Sequence, residues 1–311
     1  MKNALSLVCM LLAGILMPTT SFAQSNTLFN PDYNGDGFIG VDDILGALSF
    51  YDTAWDGPVA NVIYGCTYPL FVEYDASANV DDGSCLNLTP NCGSYVTYQG
   101  YDYATVLIGD QCWFAENLRS ENYENGDAIP AGLSASEWTS TTSGATAVYG
   151  EGSSDCYSSG NACNEAWSLN EYGRLYNWYA VDDVRGLCPS GWHVPTDEEW
   201  MTMEMALGMS ESEANSTGLR GTNQGTKMKT DYGWWGLNGT NTSGFSGLPG
   251  GYRRADFGNF SNAGSYGFWW SSSPNGSSAW GRSLDWNSEA VYRADFNPHF
   301  GLSVRCVWDA E

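Results

Sequence analysis

The chain has little positive charge. Twelve Lys and Arg face 36 Asp and Glu, for a formal net charge of −24. Gripping DNA or RNA phosphates needs a basic surface, so nucleic-acid binding is excluded. Histidine is scarcer still, with only His193 and His299. Neither has a second ligand at metal-binding spacing, so each reads as a hydrogen-bonded structural residue. No G-x-S-x-G elbow, H-E-x-x-H helix or phosphate loop occurs. Glu198 and Glu199 resemble a carboxylate pair for acid–base work, but capping and the helix dipole account for two acids at a helix start. Long apolar runs are missing beyond the first residues. Leu5 to Met17 is uncharged, follows Lys2 and leads to Ser21-Phe22-Ala23, a small-x-small cleavage pattern. It is shorter than the roughly 20 apolar residues of a spanning helix. Residues 1–23 therefore read as a secretory leader cleaved after Ala23. No membrane insertion is expected once it is removed.

Cysteine, by contrast, is well represented. Cys9 leaves with the leader, and Cys66, Cys85, Cys92, Cys112, Cys156, Cys163, Cys188 and Cys306 remain. An even set in an exported chain points to disulfides. Eight cysteines allow about 105 pairings, so sequence alone does not choose among them. Local spacing favours Cys66 with Cys85 and Cys156 with Cys163. Cys92 with Cys112 and Cys188 with Cys306 are the simplest completion. Tryptophan is also abundant: of the 14, all but Trp55 lie beyond residue 100, among many Gly and Ser. That mixture predicts a loop-rich β structure rather than a helical bundle.

Four segments follow. Residues 1–23 are the leader. Residues 24–56 centre on D-Y-N-G-D-G-F-I-G-V-D-D, Asp32 to Asp43. Residues 57–91 hold a linker and a Cys66–Cys85 Asp-rich hairpin, and 92–311 form one large domain. In the large domain, Tyr103 to Ile108 reads as a strand ending at Gly109-Asp110. Leu175 to Val181 fits either strand or helix. Ser168 and Glu171 there match a capping box and favour helix, while the Tyr and Trp favour strand. The clearest helix starts at Thr196, with Glu199 completing its capping box. Trp200, Met203, Ala206 and Leu207 are its expected apolar face, and Gly208 its end. Leu302 to Val307 reads as a closing strand.

Calcium needs six to eight oxygen ligands, and the spacing at Asp32 supplies them. Asp32, Asn34 and Asp36 sit at loop positions 1, 3 and 5, with Gly37 at the sharp turn. Phe38 would ligate through its carbonyl and Asp43 would close the loop. Ca2+ is therefore the expected cofactor, with a metal-free acidic turn as the alternative. The segment resembles half of a dockerin, or an EF-hand lacking its first helix, and so implies a calcium-stiffened spacer or docking element. The 66–85 unit resembles Cys-bounded, Asp-rich repeats of secreted Bacteroidetes proteins. Its Asp75, Asn79, Asp81 and Asp82 suggest a second calcium site, although a metal-free hairpin fits the irregular spacing better.

The large domain carries ordered motifs. They are I-G-D-Q-C-W-F-A-E-N-L (Ile108 to Leu118), Y-G-R-L-Y-N-W-Y-A-V (Tyr172 to Val181) and L-C-P-S-G-W-H-V-P-T-D-E-E-W (Leu187 to Trp200). G-L-P-G-G-Y-R (Gly247 to Arg253), F-W-W-S-S-S (Phe268 to Ser273) and S-V-R-C-V (Ser303 to Val307) follow. Together they resemble the Fibrobacter succinogenes major paralogous domain, which is similar in turn to formylglycine-generating enzymes and the C-type lectin-like fold. The resemblance implies an α+β fold: a loop-rich domain with a short twisted sheet, one or two helices, and long ordered loops. It also implies a bridge from an early element to the last strand, which suits Cys188 and Cys306. The related oxidases hold copper with two late thiols, and here only Cys306 follows Cys188.

The expected function is therefore non-catalytic binding of a glycan or protein ligand at the cell exterior. A formylglycine-type oxidase and a structural component of the cell surface are the competing readings. Trp234, Trp235, Trp269, Trp270, Tyr252 and Arg253 are the candidate ligand residues. In a strand, neighbours point to opposite faces, so one Trp of each pair is expected in the core and the other at the surface. Lectin calcium signatures are absent, and Asp285-Trp286-Asn287 has suitable residues in the wrong order.

Overall fold

The structure is a computed structural model describing residues 63–65, 75, 77–81, 92–152 and 161–308. The chain divides into two compact units, Met1–Asn61 and Val62–Glu311. Every described residue lies in the second. The leader and the calcium-loop residues Asp32, Asn34, Asp36, Phe38 and Asp43 fall outside the described residues, as do Cys66, Cys85 and Cys156.

Just before the Cys-bounded segment lies β1 (Tyr64–Gly65), which pairs in parallel with β2 (Val80–Asp81) inside it. The Cys66–Cys85 hairpin itself lies mostly outside the described residues. A parallel pair needs a long return path, which the residues between the two strands provide. Two side chains offered for a second calcium have other work. Asp75 Oδ1 accepts from Ser77 N at 2.8 Å, and Asn79 Oδ1 accepts from Ile63 N at 3.1 Å.

The domain begins as a meander of β3 (Tyr95–Tyr98), β4 (Tyr101–Ile108) and β5 (Gln111–Phe114). The first turn puts Gln99 and Gly100 at φ 47° and 82°, as a two-residue hairpin requires. The second falls at Gly109-Asp110, where the sequence places it. Beside β5 lie β15 (Val307–Trp308) and then β8 (Trp192–His193), giving a five-stranded sheet in the order β3-β4-β5-β15-β8. Two disulfides brace this sheet, Cys92–Cys112 and Cys188–Cys306. Both are the pairings that completed the sequence reading. Cys163 is also disulfide-bonded.

A larger sheet is built from β9 (Gly218–Arg220), β10 (Gly250–Arg253), β11 (Phe260–Ala263), β12 (Tyr266–Asn275), β13 (Ser278–Asp285) and β14 (Val291–Phe296). Its order is β11-β10-β12-β13-β14-β9. All pairs are antiparallel except β10 with β12. A small pair, β6 (Thr146–Val148) and β7 (Arg174–Tyr176), completes the strands.

Among the described residues the helices are α1 (Ala135–Ser140), α2 (Glu165–Tyr172), α3 (Trp178–Val181), α4 (Asp197–Ala206), α5 (Glu211–Ala214) and α6 (Gln224–Met228). That is more than the one or two expected, and half of them are barely more than a single turn. The architecture is α+β. The 175–181 stretch is both things in turn: β7 ends at Tyr176, and Asn177 caps α3 by accepting from Ala180 N. Ser168 is not a cap. It lies inside α2, with its hydroxyl donating to Ala162 O at 2.7 Å. The expected strand over Leu302 to Val307 is mostly isolated bridges, Leu302 to Tyr176 and Ser303 to Trp269, before β15 proper.

Helix α4 corrects a simple apolar reading. Thr196 and Glu199 form the expected capping box. The inward residues, however, are Asp197, Trp200, Met203 and Glu204, while Ala206 is exposed. Asp197 and Glu204 meet three arginines of the large sheet. Arg282 reaches Asp197 at 2.6 Å and Glu204 at 2.7 Å. Arg220 pairs with Glu204 at 2.6 Å and Arg293 with Asp197 at 2.5 Å. Burial pushes the Asp197 carboxyl up, but the Arg293 hydrogen bonds and the charges of Arg282 and Arg293 outweigh it and hold it low. Removing one member of such a network leaves an uncompensated charge and costs about 3–5 kcal/mol. Arg305 is fully buried without a carboxylate. It donates to Asn117 Oδ1 and the carbonyls of Phe114, Phe245 and Ser246 at 2.7–3.0 Å.

Candidate functional site

The stretch from Lys229 to Gly247 is irregular yet tightly held. Its anchor is the buried Lys229, whose ammonium donates to three main-chain carbonyls. They belong to Leu237 (3.0 Å), Asp285 (3.0 Å) and Ser288 (2.9 Å). One carbonyl is in the same loop; the other two are at the end of β13 and in the turn that follows it. A single cation thus joins two loops. Burial lowers its pKa, against the raising influence of Asp285 and Glu289. Trp234 lies over it, ring centroid 5.2 Å away, and donates to Thr230 Oγ1 at 3.1 Å.

Main-chain bonds fix the rest. Trp235 N donates to Gly264 O at 2.8 Å, Leu237 N to Trp286 O at 3.1 Å, and Trp286 N to Ser265 O at 2.9 Å. The backbone of Gly236 lies directly on the Trp286 indole, and a Cβ there would come within 2.5 Å of the ring. Only glycine permits that approach. The result is an aromatic shelf. Trp235 is 70% exposed, and its ring lies 5.9 Å from that of half-buried Trp286 at 36°. Tyr232 and Leu237 are exposed on the same loop. Its neighbours are polar and acidic: Asp231, Asn238, Asp285 and Asn287. Burial raises the Tyr232 hydroxyl pKa, and the nearby Glu171 and Asp231 carboxylates raise it further. Large aromatic area held at low entropic cost, with hydrogen-bonding groups alongside, is the chemistry of a binding surface.

Residues 106–308 match the model of the Fibrobacter succinogenes major domain. The chain belongs to this family. No curated protein and no solved structure matches the chain. The aromatic shelf lies wholly inside the matched span.

Within this Fibrobacter major domain, the sequence candidates separate sharply. Trp234 is buried at 6% exposure and Trp235 is open, as alternation suggests. Trp269 and Trp270 are both at 0%, so neither offers a ring to a ligand. Alternation does hold on β12, but both faces of this central strand are covered. Trp269 packs with Phe245 at 5.5 Å and donates to Asn117 Oδ1 at 2.9 Å. On the other face, Trp270 donates to Tyr176 O at 2.7 Å. Arg253 is not a surface contact either. It is 3% exposed on β10, held by Gly258 O, Leu133 O and Glu151, with the Trp138 ring 4.3 Å away. Tyr252 is half-buried and, with Phe268, Phe296, Phe300 and Leu302, lines an apolar pocket of about 130 Å³.

Trp286 is the residue that sequence reasoning passed over. Its signal was a tryptophan between Asp and Asn, two turn-forming residues, which leaves it only half-buried against the core. A larger hollow, about 760 Å³, is lined by Glu137, Glu151, Glu165 and Arg253. These groups are already committed to Ser134, Val148 N, Gly152 N and one another. His193 Nε2 lies 2.8 Å from Glu199, which is itself the capping acid of α4. Among the described residues no helix is long and apolar enough to cross a membrane.

Proposed function

We propose that this chain is an exported, non-catalytic carbohydrate-binding protein. Its Fibrobacter major domain, with a C-type lectin-like arrangement of loops, binds a glycan on the Trp235–Trp286 shelf. The observation that carries this reading is the exposure of Trp235 on a loop pinned by Lys229. An indole held open in that way stacks on a pyranose face without first being ordered. The disulfides support an extracellular location, because such bonds persist in oxidising compartments. Cys306 is paired with Cys188, which speaks against the thiol pair of a formylglycine-type oxidase. The calcium loop at Asp32, Asn34, Asp36, Phe38 and Asp43 belongs to the same proposal as a stiffened spacer. Its support is sequence spacing.

The test is affinity electrophoresis of the full chain through gels containing neutral polysaccharides. Retardation by at least one polymer is expected, and Trp235→Ala should weaken it about thirtyfold, as truncation of a binding hot spot does. Trp286→Ala should do the same. Retardation unchanged in both variants would sink the reading.

A further inference from the structure

The shelf's surroundings restrict what it binds. Every Lys and Arg except Lys2 is among the described residues. The interior cations are spent on α4, on Arg305's carbonyl cage, on Lys229's cage, and on the Arg253 contacts described above. Lys227 donates to Leu207 O at 2.6 Å. Four arginines remain. Arg119 pairs with Glu116, Arg174 with Glu121, Arg185 with Asp183 and Asp127, and Arg254 with Asp256. Each cation is therefore already bound to a carboxylate or carbonyl of its own chain.

The carboxylates are not so limited, since acids outnumber bases threefold. Asp231 and Glu289 are exposed, and Asp285 is half-exposed, in the two loops that build the shelf. Lys229 lies beneath it with its ammonium turned to carbonyls, so it offers no hydrogen-bond donor to a ligand. Like charges within about a Debye length of 8 Å repel, and steering runs against an anion approaching this face.

We infer that the Trp235–Trp286 shelf takes an uncharged polysaccharide and rejects chains carrying carboxylate or sulfate. This rests on the glycan reading above and deepens it. Specificity here comes from repulsion of the wrong partner as much as from stacking on the right one. Stacking itself is indifferent to the charge of distant substituents, so the field makes the selection.

The experiment uses polymers matched in backbone and differing in charge: hydroxyethylcellulose against carboxymethylcellulose, and agarose against κ-carrageenan. Retention of the full chain and of Trp235→Ala is measured at low and high NaCl. The expected result is Trp235-dependent retention on a neutral member, at least tenfold weaker on its anionic counterpart. That gap should narrow as salt rises. A second variant, Glu289→Gln, should narrow it at low salt while leaving neutral binding intact. Trp235-dependent retention that is equal or stronger on an anionic polymer overturns the inference and leaves the glycan reading standing. Absence of Trp235-dependent retention on every polymer overturns both.

Discussion

Two tryptophan pairs invite comparison, because their sequences look alike and their fates differ. Trp269-Trp270 lies in the middle of the larger sheet, on β12 between β10 and β13. Trp234-Trp235 lies in a loop. In each pair the neighbouring rings point apart. On β12 both directions lead into packed interior, one toward Phe245 and the other toward Tyr176 O. In the loop only one direction does. A local pattern fixes the relation between neighbours, but what each neighbour meets depends on the layers around it. The loop pair also rests on different chemistry. The sheet side of α4 is held by paired charges, while the loop is held by one ammonium among carbonyls.

Substitutions can test that contrast, and the sheet pair should show the largest effects. Trp269→Ala or Trp270→Ala should cost about 3–5 kcal/mol, read as a fall in the denaturant midpoint. Breaking the charge network at α4 should be comparable, and it adds a pH signature. The Asp197 carboxyl titrates below its ordinary value of 3.8 in the fold. Its contribution is therefore full above that value and is lost as pH falls through the lower, native one. Asp197→Asn should be less stable at neutral pH and show a flatter acid limb in pH-dependent unfolding.

Lys229→Met should act at an intermediate scale, about 1–3 kcal/mol, by stripping donors from three part-buried carbonyls. The distinguishing readout is local. Amide exchange should quicken at Trp235 and Leu237 before it changes on β12. Uniform acceleration would show that the two loops are not joined by this one cation. The smallest stability effect belongs to Trp235→Ala, within about 0.5 kcal/mol because the ring is mostly in water. A large loss there would mean the ring is part of the core after all.

The sequence is a good guide where local chemistry decides. The Thr196–Glu199 box starts α4, and Gly109-Asp110 ends β4, because caps and turns are set by a few adjacent residues. It is a poor guide where partners come from afar. Nothing in the run Asp197 to Glu204 announces that its acids turn inward, since Arg220, Arg282 and Arg293 arrive from other strands. The candidate site was half legible for the same reason. Trp235 could be proposed from alternation, but Trp286 joins it only through the β13–β14 turn. Arg253 read as a candidate ligand residue and proved to be a buried strand residue. The α+β class followed from the family resemblance that the motifs carry, while composition alone suggested a loop-rich β structure, and the number of short helices was legible from neither.

The segment from Gly301 to Trp308 touches Arg253, Tyr176, Trp269, β5 and β8 in turn, and Cys306 locks it to Cys188. It therefore belongs to both sheets at once. A ribosome makes it last within this domain, so the earlier strands emerge without the partner that joins them. Docking of this segment is therefore the step that joins the sheets, and the Cys188–Cys306 bond fixes it there.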